Sequence, residues 1–282
     1  YIDLINRAPV NRFIQLFRVG NCIMGVVGLL LAMLVAAGTN IVDDPMVILI
    51  SSGVVFLFII GGNSLNDYLD RDVDKLAHPE RPLPSGRMRP ETARNISIAA
   101  FILSLALSVL LWDVASFLIV VSAVAIMLAY ELRTKKMGLA GNLSIAWLTG
   151  ALFLLGGAVT GRIEATVAFA FMAFLATLGR EIVKDVQDMS SDFDRRTLPQ
   201  TIGARKAGAV ASAAFLVAVL LSFEPFITGR FGLAYLVAVL FADAIFIYCS
   251  IVHFRNPKQG QRWAKYGMLM ALVAFLLGGL LL

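Results

Sequence analysis

The residues able to do chemistry in this 282-residue chain are concentrated in two short stretches. The first, NDYLDRDVDK at 66–75, closes the apolar run VVFLFIIGG and puts four aspartates within eight residues. The second is REIVKDVQDMSSDFD at 180–194. Asp67, Asp70 and Asp74 have the spacing D-x-x-D-x-x-x-D, and Asp185, Asp188 and Asp192 repeat it. On a helix, positions i, i+3 and i+7 fall within about 60° of one another. Each triad therefore forms one stripe, joined one turn earlier by Asn63 in the first and Glu181 in the second. Desolvating an unpaired carboxylate costs several kcal/mol, and two such stripes facing each other would repel. Hard divalent cations remove both costs, and Mg²⁺ suits carboxylates combined with phosphate oxygens. The candidate metal ligands are Asn63, Asn66, Asp67, Asp70, Asp74, Asp185, Asp188 and Asp192, and the six aspartates are also the catalytic candidates. Any single aspartate could be a solvated helix cap, but two identically spaced triads argue against that. Asp72 falls off its stripe and reads as solvated, while Asp194 has no assigned role.

Basic residues surround both triads. Arg71, Arg81, Arg133, Lys135, Lys136, Arg180 and Lys184 all fall near them. A magnesium–carboxylate cluster ringed by Arg and Lys meets the needs of a diphosphate, whose charge must be neutralised as it leaves. Arg71 follows Asp67 by four residues, and Lys184 directly precedes Asp185. These two, with Arg180 and Lys135, are the candidate diphosphate contacts. His78 and His253 have no metal-ligand spacing and read as interfacial. Cys22 and Cys249 lie in or beside apolar runs and read as packing residues. There is no Walker-type glycine loop and no arguable Ser-His-Asp set. The Gly-Gly pairs at 61–62, 156–157 and 278–279 read as places where helices approach closely.

These residues must be held by membrane helices. The chain is 59% hydrophobic and 15% charged, against about 25% charged in soluble domains. Nine runs are long enough to cross a bilayer, at about 20 apolar residues each: 17–37, 46–66, 92–111, 114–131, 139–160, 164–184, 206–223, 231–252 and 263–282. With the N-terminus cytoplasmic, only Arg162 and Arg230 of the 24 basic residues fall outside the cytoplasmic connections, as the positive-inside rule requires. The net charge of +5 therefore reads as topology plus an anionic ligand, not as a nucleic-acid surface. No cleavable signal peptide is evident at the start. Ile2, Ile5, Phe13, Leu16 and Phe17 fit either an amphipathic surface helix or an irregular lead-in. The expected fold is an all-α membrane protein: nine transmembrane helices in a bundle around a central cavity, N-terminus cytoplasmic, C-terminus outside. Residues 1–282 read as one domain with an internal repeat, the acidic motif 63–74 after span 2 and 181–192 after span 6.

The chain resembles the UbiA-type intramembrane prenyltransferase superfamily. The resemblance rests on NxxNDYxDxxxD at 63–74, RPLPSG at 81–86, Tyr130 with Lys135 after span 4, KDxxDxxxD at 184–192, and the nine spans. HPERPLPSGRM and REIVKDVQDMSSD are most similar to the archaeal digeranylgeranylglyceryl phosphate synthases; quinone and chlorophyll prenylases carry similar strings. The superfamily's YxxxK motif has one extra residue here, so Lys135, Lys136 and Arg133 all remain candidates. The resemblance implies two Mg²⁺ ions holding an isoprenyl diphosphate donor. It implies an allylic cation or cation-like carbon, and a lipid-phosphate or aromatic acceptor that attacks it. With geranylgeranylglyceryl phosphate as acceptor the product is an ether; with 4-hydroxybenzoate or a related quinone precursor, a ring carbon attacks. Arg81, Arg133, Tyr130, Asn21 and Asn142 are the acceptor-side candidates, although Asn21 and Asn142 read more readily as ordinary interhelical hydrogen-bonding residues. The active site is expected on the cytoplasmic side, with membrane lipids around it and no obligate protein partner.

Two other classes compete. Intramembrane acids can mark an ion path, but a transporter places its site near the midplane, whereas these triads cluster at one face. A non-enzymatic lipid-binding protein has no need of two matched carboxylate triads.

Overall fold

The computed structural model describes residues 11–189 and 196–282. Long apolar runs with punctuated starts fix the helices. Proline stands in the first turn of several, and Asp44, Asp113 and Asn256 accept hydrogen bonds from backbone N–H groups of the turns that follow them. In chain order these are α1 (Arg12–Phe17), α2 (Val19–Ala37), α3 (Pro45–Ala77), α4 (Pro90–Val109), α5 (Val114–Leu132) and α6 (Leu139–Val159). They continue as α7 (Val167–Asp188), α8 (Leu198–Ile202), α9 (Ala204–Leu221), α10 (Glu224–Ile227), α11 (Leu233–Val252) and α12 (Pro257–Leu280). Among the described residues, nine helical segments are long and apolar enough to cross a membrane. They coincide with the nine runs expected from sequence to within several residues. The main departure is α3, which runs 33 residues without a break. At 1.5 Å per residue that is about 50 Å, well beyond the ~30 Å hydrocarbon core. Its last turns therefore carry the first acidic motif on continuous helix beyond the apolar segment.

Small residues set the spacing between helices. Ser97 and Ser104 of α4 donate to the Gly61 and Val54 carbonyls of α3, both at 2.9 Å. The three Gly-Gly pairs sit where a side chain would strike a neighbour: Phe101 and Met127 at 61–62, Ala32 and Thr166 at 156–157, Phe231 and Leu34 at 278–279. The two cysteines are buried and free.

The bundle has two distinct ends. At one, Arg230 donates to the Val35 and Ala36 carbonyls at 3.0 and 3.2 Å, satisfying the C-terminus of α2. At the other, α1 packs Leu16 against Leu83 and Met88 of the 81–88 loop, so α1 is part of the protein core at that end. Residues 1–10, including Ile2 and Ile5, lie outside the described residues. His253, at the end of α11, is buried and bonded to the Ser212 hydroxyl at 2.8 Å between α9 and α11. His78 is exposed, beside Glu80.

Candidate active site

The first motif is a buried carboxylate cluster in which each acid meets a cation. Asp67 is only 2% exposed. It accepts from Arg18 at 2.5 Å and lies 3.8 Å from Arg81. Arg81 donates to Asp74 at 2.6 Å. Asp70 accepts from Lys135 at 2.7 Å. Burial without such partners would be costly for each acid, so these pairs explain how the apolar end of α3 tolerates its aspartates.

Arg18 and Glu131 complete the cluster, and neither was singled out from sequence. Arg18 joins α1 to α2 in the left-handed conformation, φ 48°, which is strained for a side-chain-bearing residue. That bend aims its guanidinium at Asp67 and at the Asn66 side-chain oxygen, 3.1 Å away. Glu131, in the last turn of α5, is 6% exposed. It accepts from Lys135 at 2.9 Å and from the Asn66 amide at 3.2 Å. The Asn66 amide also donates to Asp70 at 2.9 Å. Asp70 and Glu131 thus share two donors. Burial by itself would lower the Lys135 pKa, but hydrogen bonds and charge from Asp70 and Glu131 outweigh it and hold the ammonium above the usual lysine value. The structure brings Lys135 into the cluster, while Lys136 and Arg133 are exposed at the same turn. Tyr130 is half-buried beside Glu131.

The second motif is differently furnished. Asp185 accepts from the Asn142 amide of α6 at 2.8 Å. Asp188 ends α7, half-buried, and Asp192 and Asp194 lie outside the described residues. Arg180 forms an ion pair with the adjacent Glu181, and Lys184 is half-buried on the same helix. Contacts through the start of α6 link the two motifs. Thr134, beside Lys135, meets Ser144 at 3.1 Å, half a turn beyond Asn142. Gly141 permits this approach: a Cβ there would stand 2.8 Å from the Thr134 carbonyl.

The remaining candidates lie around this cluster in different ways. Among the described residues, Arg71 makes no ion pair with the α3 triad; the carboxylate it meets is Asp72, at 3.8 Å. It folds onto its own helix, donating to the Tyr68 carbonyl at 2.8 Å and covering the Tyr68 ring at 5.1 Å. Its position flanks the stripe, and a long side chain takes the nearer partner. The Asn63 side-chain N–H donates to the Phe17 carbonyl at 2.8 Å, bracing the α1–α2 junction, a bond that does not engage the side-chain oxygen a metal would take. Asn21 is exposed on the first turn of α2. Asp72 is exposed and paired with Lys75 at 2.8 Å, as its place off the stripe requires.

Among the described residues, no three His, Cys, Asp or Glu side chains are arranged around a common metal position. The donor chemistry nevertheless fits a hard divalent cation: Asp67, Asp70, Asp74, Asp185 and Asp188 offer only oxygen, the ligand type that Mg²⁺ takes.

Below the polar end lie two apolar cavities. One runs among α2, α6, α7, α9, α11 and α12; the other lies among α2, α3, α5 and α6. Thr149 and Leu152 of α6 line both. On α3 and α5, the lining residues Ile59 and Ala123 stand eight residues before Asp67 and Glu131, about 12 Å along the helix. A charged head and a long apolar chain therefore find adjoining surroundings.

A profile of the UbiA prenyltransferase family matches residues 26–275. The digeranylgeranylglyceryl phosphate synthase of Methanothermobacter thermautotrophicus is 35% identical over 276 residues, covering 95% of this chain and 96% of the relative. The enzyme of the same name from Methanothrix thermoacetophila is 37% identical over 268 residues, covering 94% and 98%. A solved structure of a digeranylgeranylglyceryl phosphate synthase superposes with a TM-score of 0.88 at 31% identity, covering 97% of this chain and 99% of that one. An Archaeoglobus fulgidus UbiA homologue, solved with DMAPP and Mg²⁺, shares the fold at a TM-score of 0.63 and 14% identity, covering 94% and 99%.

Proposed function

The chain belongs to the UbiA prenyltransferase family and is an intramembrane prenyltransferase; on that premise we propose that it transfers a geranylgeranyl group from its diphosphate to the hydroxyl of geranylgeranylglyceryl phosphate. The observation that carries this reading is the cation-laced carboxylate cluster of α3, Arg18, Arg81, Glu131 and Lys135, standing at the head of apolar cavities. The named relatives at 35–37% identity support the choice of acceptor.

In this reading Asp67, Asp70 and Asp74, with Asp185, Asp188 and Asp192, hold two Mg²⁺ ions. Once bound, the metal supplies positive charge to the diphosphate oxygens. Lys135, Arg18 and Arg81 supply the rest. Each is already drawn into the site by a carboxylate, so little reorganisation is needed when the diphosphate arrives. Lys184 and Arg180 add charge from α7. The allylic carbon–oxygen bond breaks with its electron pair going to the diphosphate. The acceptor hydroxyl oxygen then bonds to that carbon and gives up its proton to the released diphosphate. Asn66 orients Asp70 through its amide, and Glu131 keeps Lys135 beside Asp70. Tyr130, Asn142 and Arg133 would border the acceptor head. Both isoprenoid chains lie in the apolar cavities, screened from water. The acidic end faces the cytoplasm, in line with the basic residues gathered there.

The test is transfer of a radiolabelled geranylgeranyl group from its diphosphate, with and without Mg²⁺, offering geranylgeranylglyceryl phosphate and 4-hydroxybenzoate in parallel. Magnesium-dependent ether product with the first acceptor is expected. Product with the aromatic acceptor alone would replace the proposed acceptor, and no transfer to either would refute the reaction.

A further inference from the structure

One buried acid has no part in the diphosphate chemistry. Asp243 stands in the middle of α11, within the apolar run LAYLVAVLFADAIFIYCSIV, and is 5% exposed. An ionisable side chain at that depth in a membrane helix is expensive and by default points to a function. Its Oδ2 accepts from the Ser222 hydroxyl at 2.8 Å, and the Ser222 carbonyl accepts from the Tyr235 hydroxyl at 2.7 Å. Ser222 caps α9 at the end of that helix remote from the acidic motifs.

Asp243 and Ser222 both line the larger apolar cavity. Around them the wall is hydrocarbon and thioether, including Phe153, Met172, Val239 and Phe275. On α7 the lining residue Met172 lies thirteen residues from Asp185, about 20 Å along the helix. The cavity is therefore long and mostly apolar, with the Thr149 hydroxyl on α6 and the Asp243–Ser222 pair, its one ionisable group, on the remote wall.

We propose that Asp243, held by Ser222, gauges the length of an isoprenoid chain bound in this cavity. The proposal rests on the reading above only in that isoprenoid chains occupy the apolar cavities. A chain ending short of Asp243 makes apolar contacts throughout. A longer chain covers a carboxyl oxygen with hydrocarbon and leaves it without a partner, so an extra isoprene unit weakens binding by about tenfold. The bland alternative is that the Asp243–Ser222 bond merely ties α9 to α11. A tie of that kind would affect chains of every length equally.

The test compares the native protein with Asp243→Asn and Asp243→Val in lipid nanodiscs. Farnesyl, geranylgeranyl and geranylfarnesyl diphosphates are titrated with Mg²⁺, reading ligand-induced rise in Tm and, separately, turnover. Glyceryl phosphate acceptors carrying the same three chains form a second series. In at least one series the native protein should lose about tenfold in affinity between the geranylgeranyl and geranylfarnesyl ligands. Asn, equally polar, should keep that step; Val should remove it. An unchanged step in the Val variant, or weakening by one factor at all lengths, overturns the proposal. If the Val variant does not fold, Ser222→Ala carries the test, because it deprives the carboxyl of its donor and should steepen the step; an unaltered step overturns the proposal equally. Length-dependent stabilisation without any transfer would refute the proposed reaction while supporting the role of Asp243.

Discussion

The two acidic motifs share one spacing but not one environment. On α3 Asp67 and Asp74 are buried and Asp70 half-buried, and each is held by a cation: Asp67 by Arg18, Asp70 by Lys135, Asp74 by Arg81. On α7, Asp185 is half-buried and accepts from the neutral amide of Asn142. A buried ion pair is costly to break because its remaining partner stays behind unpaired. Asp67 and Asp74 are sunk into the packed interior at one motif, whereas Asp185 and Asp188 stand half-exposed at the other.

The largest effects come from the triads themselves. Asp67→Asn and Asp185→Asn should each reduce turnover by about a thousandfold, since each removes charge from the diphosphate site. Asp67→Asn should also lower Tm by several degrees, and by more than Asp185→Asn, because Asp67 is almost fully buried and Arg18 and Arg81 lose their partner there. Thermal unfolding of the two variants side by side would expose the difference, and equal Tm losses would mean that the contrast has been misread. Next in size, Lys135→Ala should reduce kcat/KM by about a hundredfold and Lys136→Ala by less than about threefold. The reverse order in steady-state kinetics would move the diphosphate contact to Lys136.

Glu131→Gln should be milder, about tenfold in kcat/KM, because Lys135 keeps Asp70. It also has a pH signature. The native Lys135 pKa is raised, so its pairing contributes stability fully below about pH 10.4 and loses it as pH rises through the higher folded value. With one carboxylate gone that folded value falls, and the alkaline loss begins at lower pH. An alkaline melt that superposes on the native one would remove Glu131 from the Lys135 network. Smallest of all, Asp72→Asn should change rate and stability by less than about twofold, as befits an exposed pair with Lys75. A loss as deep as that of Asp67→Asn would undo the stripe geometry.

Much of this was legible in the chain. Apolar run length set the spans, because a bilayer demands a near-fixed number of residues. The i, i+3, i+7 spacing put Asp67, Asp70 and Asp74 together, because helix geometry alone decides which side chains share a face. Partners from other helices were not legible. Arg18 looked like one more positive charge at the membrane surface, yet it reaches Asp67 across 49 residues. Glu131 belongs to no repeat and gains its place only when α5 packs beside α3. Arg71 shows the converse, since correct helical phase did not decide where a long side chain turns. Asp243 did leave a signal, as the lone acid in an apolar span, but its relation to Ser222 and the cavity is tertiary.

The most direct test of the account is calorimetric titration of geranylgeranyl diphosphate into the native protein, Asp67→Asn and Asp185→Asn, each with and without Mg²⁺. The account predicts tight binding by the native protein only when Mg²⁺ is present, and loss of that binding in both variants. Native-like binding by either variant at limiting Mg²⁺, or undiminished binding by the native protein without the metal, would contradict it.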